Sequence, residues 1–174
     1  MIIWRDDDII WGGDAASPAG PLARLAKVDD LFQKYGLTHT VAVLASTLTP
    51  DVVRLLKERR MDVQLHAWKH DDLSVYAHAR GELCQALDRI EELFGKRPTT
   101  LYPPWNRVSR PLLRTARTLG LKVSHEKVSL HSYIDYAHVH SDLVINFHYW
   151  ADEIADLEPA MQLHARLRAE GVIE

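Results

Sequence analysis

The sequence predicts an α/β protein on a parallel sheet, open or closed into a barrel, and three observations carry that expectation. Short β-branched runs alternate with amphipathic helical segments, the order that sets consecutive strands parallel with a helix crossing between them. Ionisable and aromatic residues gather at the downstream ends of those runs, where parallel α/β folds bind ligands. The chain has 174 residues, 47% of them hydrophobic, enough for a real core, and no linker, repeat or low-complexity segment divides it. A single domain over 1–174 is therefore expected.

The strand segments, in order, are "MIIW" (1–4), "THTVAVLA" (38–45), "MDVQLHAW" (61–68), "TTLYPPW" (99–105), "LKVSHEKV" (121–128) and "DLVINFHYW" (142–150). Five helical segments lie between and after them. Residues 21–36 carry Leu22, Leu25, Val28, Leu31 and Phe32 at helical spacing and stop at Gly36. Residues 49–60 open with a Thr cap and a proline. Residues 81–95, 109–120 and 158–171 complete the set, each closing on glycine.

Composition excludes several classes. Net charge is −3, from 21 basic and 24 acidic residues without a basic stripe, so nucleic acid is not expected as a partner and a small or neutral substrate is. Cys84 is the only cysteine, which rules out an internal disulfide or a cysteine-rich metal cluster and suggests a core filler. No run approaches the ~20 apolar residues that span a bilayer, and "MIIWRDDD" lacks a basic leader region, so no membrane partner is expected and the chain reads as cytoplasmic.

The strand exits hold the chemistry. The first run ends in Asp6, Asp7 and Asp8, the third in His66 with His70 four residues on, the fourth in Tyr102, Pro103, Pro104, Trp105, Asn106 and Arg107, and the last in His148, Tyr149 and Trp150. Three adjacent carboxylates repel one another and lose hydration at a strand end, a cost that a divalent cation offsets. "HAWKH" supplies two imidazoles at i and i+4 but lacks the Glu of H-E-x-x-H, which disfavours a helical metalloprotease. Two histidines and one carboxylate from different strands make a site for a divalent ion with open positions.

Taken together, "RDDD", "HAWKH", "YPPWN" and "INFH", in this order and at these separations, resemble the successive motifs of the polysaccharide deacetylase family, the NodB-homology or carbohydrate esterase 4 domain. The resemblance runs from residue 3 to about 150 and includes the helix, "GKRP" turn and "YPPWN" strand end of 81–106. It implies a distorted (β/α) TIM-like barrel of about six or seven parallel strands. The implied activity is removal of an N-acetyl or O-acetyl group from a carbohydrate, with one divalent metal, zinc first and cobalt or nickel as alternatives.

Carried over residue by residue, the resemblance makes Asp7 the general base, Asp8, His66 and His70 the metal ligands, and His148 the general acid. A shift of one place, with Asp6 as base and Asp7 as ligand, stays open. Tyr102, Pro104, Trp105, Asn106, Arg107 and Trp150 would contact a small-molecule or oligosaccharide substrate, the aromatic rings by stacking on a sugar. The chemistry is consistent: a divalent ion lowers the pKa of its water from 15.7 to about 7, a carboxylate takes the proton, and a histidine protonates the leaving amine.

Two departures mark a divergent branch. Tyr102 stands where the family has an arginine that orients the base, leaving Arg5 or Arg107 to supply that charge, and Asn106 replaces a glycine. Two other functions follow as alternatives: a metal-dependent hydrolase of a non-carbohydrate amide, and an inactive carbohydrate-binding barrel.

Overall fold

The computed structural model describes residues 2–9, 20–75, 78–125, 128–129, 133, 143–149 and 154–173. In chain order the elements are β1 (Ile2–Ile9), α1 (Gly20–Tyr35), β2 (His39–Leu44), α2 (Pro50–Glu58), β3 (Asp62–Ala67), α3 (Ala79–Phe94), β4 (Thr100–Leu101), α4 (Arg110–Thr118), β5 (Lys122–Val123), β6 (Val128–Ser129), β7 (Leu143–Phe147) and α5 (Ile154–Ala169). The strand pairs whose register is defined, β1 with β7, β6 with β7, β3 with β4 and β4 with β5, are all parallel. The fold class is α/β, as the sequence implies.

Several boundaries differ from the sequence expectation. β1 runs on to Ile9, so the aspartates lie within the strand rather than after it. "LKVSHEKV" divides into β5 and β6. α5 begins at Ile154 and carries Pro159 inside it, four residues before the expected start at 158. Cys84 is half-buried rather than a core residue. Among the described residues no helix is long and apolar enough to cross a membrane.

The described residues fall into two compact units, the first drawn from 1–7, 12–40 and 127–174 and the second from 8–11 and 41–126. In the first, strand order is β1-β7-β6, with Ile2 opposite Leu143 and Asp6 opposite Phe147. Its core gathers Trp4, Leu25, Val28, Phe32, Ile145, Phe147, Leu157 and Met161, all buried. Trp4 meets Phe32, Tyr133 and His164 edge-on, at ring separations of 6.1, 5.4 and 5.6 Å. Edge contacts of this kind set the positive rim of one ring against the negative face of another and add about 0.5–1.5 kcal/mol per pair beyond area burial.

His164, in α5, is also buried, and its Nδ1 lies 2.9 Å from the Tyr133 hydroxyl. Burial, with the charge of Arg168, pushes its pKa down to about 4 from 6.5. The folded state therefore binds fewer protons than the unfolded chain between those values, so this contribution is present above about pH 6.5 and is lost as pH falls toward 4. A thermal-unfolding series from pH 7 to pH 4 is expected to show a falling midpoint, and His164→Gln should flatten that slope.

In the second unit the order is β5-β4-β3-β2. β4 is two residues long because the prolines at 103 and 104 supply no N–H to extend a ladder. Buried Gln64 compensates: its Oε1 accepts from the N–H groups of Thr99 and Thr100 at 3.1 and 3.0 Å and so anchors the strand start to β3. The Tyr102 N–H donates to the Leu65 carbonyl at 2.9 Å, which carries the register one residue past β4. Leu44, Leu65, Leu83, Leu87, Ile90, Leu101 and Ala116 form the core beneath.

Candidate metal centre

The three aspartates of β1 have three separate sets of partners. Asp6 is fully buried and accepts from the Tyr149 N–H at 3.0 Å, with the His39 ring 3.3 Å from its other oxygen. Asp7 is buried and accepts from Arg5 Nη2 at 2.5 Å and from Asn146 Nδ2 at 2.9 Å. Asp8 adopts φ +59°, a left-handed conformation that costs most L-residues about 1–2 kcal/mol and Asp less. Of the two arginines the sequence offered, Arg5 is the partner of Asp7, whereas Arg107 pairs with Asp72 at 2.8 Å.

In the second unit Asp8 Oδ1 lies 3.1 Å from His66 Nε2 and 3.2 Å from His70 Nε2. The candidate ligand atoms of the three residues all fall within 4.8 Å of one another. His66 belongs to β3 and His70 follows it by three residues, so one strand exit delivers both rings. Two atoms bound to one ion at about 2.0–2.1 Å and near-tetrahedral angles lie about 3.3–3.4 Å apart, close to the spacing found here.

The donor chemistry fits a cation. His66 Nδ1 donates to the Tyr102 carbonyl at 2.6 Å, which fixes the tautomer that leaves the Nε2 lone pair toward Asp8. That Nε2 is buried and has no hydrogen bond among the described residues, so its 3.1 Å approach to the carboxylate is a contact of two electron-rich atoms. A positive ion between them turns that contact from repulsive to favourable. Asp8, His66 and His70 fit a divalent metal.

Beside these candidate ligands the "YPPWN" segment makes an irregular wall. Tyr102 and Pro104 are buried, and a short 3-10 turn spans Pro104–Asn106. Trp105 and Asn106 both have left-handed backbones, at φ +51° and +56°. Trp105 stays 52% exposed while its ring meets His70 edge-on at 4.4 Å, and the Arg107 guanidinium lies 5.7 Å from the same ring. His125, at the exit of β5, keeps a buried Nδ1 without a hydrogen bond among the described residues. His148 follows β7 directly and is half-buried, Trp68 is half-buried and Tyr149 is buried. Trp150 lies outside the described residues.

The sequence profile of a family described as "Polysaccharide deacetylase" matches residues 19–124, more than half of the chain. The chain belongs to the polysaccharide deacetylase family. The matched stretch contains His66, His70 and "YPPWN" but neither the aspartates of β1 nor His148. Solved structures extend the likeness in fold to nearly the whole of this chain. A CE4 family pseudoenzyme from Bacillus anthracis aligns with a TM-score of 0.77 at 12% identity, covering 98% of this chain and 61% of that one. This chain thus spans less than two thirds of that relative. A family 4 carbohydrate esterase from Streptomyces lividans, in complex with acetate, aligns at 0.73 with 17% identity, covering 99% and 89%. A family 4 acetyl xylan esterase from Clostridium thermocellum, in complex with a cobalt ion, aligns at 0.72 with 17% identity, covering 98% and 84%. A search of curated proteins found no match. At these identities the structures establish the fold, the distorted α/β barrel class expected of the family.

The sequence pattern assigns no functional role to His39, Asp29 or Asn146. Asn146 lies in the quoted "INFH" motif itself, and its place two residues before His148 was the available signal.

Proposed function

We propose that this polysaccharide deacetylase family member is a metal-dependent hydrolase that removes an acetyl group from an N-acetylated or O-acetylated carbohydrate. The convergence of Asp8, His66 and His70, with the His66 tautomer fixed by the Tyr102 carbonyl, carries the reading. Their two nitrogens and one oxygen suit zinc, with cobalt or nickel as alternatives. A divalent ion held there supplies a Lewis acid for the acyl oxygen and increased acidity for an attacking water.

The remaining steps belong to side chains. Asp7, the residue before the ligand Asp8, takes the proton of the attacking water, and Arg5 and Asn146 both bind its Oδ2 and hold the carboxylate in one orientation. His148 gives a proton to the departing amine or alcohol. The assignment of Asp7 rather than Asp6 as base is supported by partners: Asp6 is committed on both oxygens, to His39 and to the Tyr149 N–H. Trp105, with its exposed ring against His70, offers a face for a sugar, and Arg107 and Asn106 flank it.

The test is acetate release from N-acetylated and O-acetylated mono- and oligosaccharides by the zinc-, cobalt- or nickel-loaded protein and by the chelator-treated protein. Metal-dependent release supports the proposal. Release only from non-carbohydrate amides would reassign the substrate, and carbohydrate binding without product under any metal would favour an inactive binding barrel.

A further inference from the structure

His39, at the start of β2, is an ionisable group buried in the first unit with only 3% exposure. Its ring lies flat on Phe32, 4.2 Å away at an interplanar angle of 2°, and within 6.0 Å of Phe147. Each ring nitrogen faces a buried carboxylate: Nδ1 is 3.2 Å from Asp29 Oδ1, and Nε2 is 3.3 Å from Asp6 Oδ2. A neutral imidazole has a single N–H and would turn a lone pair toward one of these oxygens. The cluster is satisfied when the ring carries both protons, or when one carboxyl keeps its own.

Electrostatics agree with the geometry. Burial disfavours charge on His39, but its hydrogen bonds to Asp29 and Asp6, and their charges, outweigh that and raise its pKa. Burial likewise raises Asp6, against the hydrogen bond and charge of His39, the Tyr149 N–H and the charge of His148. The cluster also has a mechanical end. Asp6 Oδ1 accepts from the Tyr149 N–H at 3.0 Å, and Tyr149 follows His148 in sequence. At the other end, Gln33 Nε2 donates to Asp29 Oδ2 at 3.4 Å.

We propose that His39 and Asp6 are positioning residues for His148: the buried Asp29–His39–Asp6 chain ties down the peptide that follows His148 and so fixes the imidazole in place. The inference rests on the reading of His148 as proton donor. It gives the first aspartate of the triplet a task distinct from metal binding and from proton abstraction.

The test uses the zinc-loaded full chain. In His39→Gln the amide turns its NH2 toward one carboxylate and its carbonyl oxygen toward the other, because the two acids flank the site on separate sides, and the variant is expected to keep about one ion per chain and a wild-type circular dichroism spectrum. Hydrogen exchange at the Tyr149 amide should quicken about tenfold, the equivalent of one lost hydrogen bond, and the His148 ring signals should shift. With the acetylated sugar turned over by the wild type, kcat should fall about tenfold or more while KM stays within about twofold. Asp6→Asn keeps an acceptor for Tyr149 and a donor for a neutral His39, so its Tyr149 exchange should stay slow.

Unchanged Tyr149 exchange in folded His39→Gln overturns the inference. So does faster exchange with unaltered kcat and His148 signals, because that describes a purely structural contact. Should His39→Gln fail to fold, Asp6→Ala against Asp6→Asn makes the same comparison, since only the latter retains an acceptor. Absence of turnover in the wild type overturns the deacetylase reading alone, because amide exchange and ring signals are read without substrate.

Discussion

His70→Ala is expected to lower bound divalent metal from about one ion per chain to a small fraction, with acetate release falling at least about a thousandfold. Three candidate ligand atoms within 4.8 Å make the proposed centre, and removing one leaves a two-donor site that water competes with. Metal polarisation is worth several kcal/mol of transition-state stabilisation, and each 1.36 kcal/mol is a factor of ten in rate. His70 suits this test better than His66. Its side chain lies three residues beyond β3, whereas His66 sits inside the strand and bonds to the Tyr102 carbonyl. Elemental analysis of wild type and variant, after reconstitution with zinc, reads the effect directly. Equal metal in both would remove His70 from the ligand set and with it the metal-dependent reading.

Asp7→Asn is expected to leave the metal in place and lower turnover by about 10²–10⁴, the usual contribution of a general base. An asparagine has the same shape and its carbonyl oxygen can still accept from Arg5 and Asn146, but it cannot take a proton. The change also removes the counter-charge from a guanidinium that is fully buried, so the variant should melt earlier than the wild type. Turnover is therefore compared per folded, metal-loaded chain, by circular dichroism and elemental analysis alongside the assay. Full activity in Asp7→Asn together with loss in Asp6→Asn would move the base by one residue.

The alternation of strand and helix was legible in the sequence because it is written in hydrophobic period, a local signal. Helix positions 21–36 and 81–95 agree with α1 and α3 to within about two residues. The irregular parts were not legible. β4 holds its place through Gln64, a side chain from β3, and no local pattern announces such a tie. The aspartates looked like a strand end because three charges in a row contradict burial. They are buried because the neighbouring Arg5 and, from distant points of the chain, His39, Asn146 and the histidines 66 and 70 meet them. Spacing alone suggested that His66 and His70 act together. It could not name the partners of Asp6, Asp7 and Asp8, because most of them come from side chains far along the chain and the backbone turns left-handed at Asp8.

The hydrogen bond from His66 to the Tyr102 carbonyl also bears on how this centre tolerates mutational drift. Its acceptor is main chain, so changing the side chain at position 102 leaves the oxygen in place, and the tautomer of His66 survives any substitution that keeps the strand. Asp7 is held differently, by the side chains of Arg5 and Asn146, and a single codon change removes either one. Random substitution therefore erodes the orientation of the proposed base sooner than the ligand geometry. A lineage that retains Asp8, His66 and His70 would keep the geometry proposed to hold metal after the orientation of Asp7 had gone.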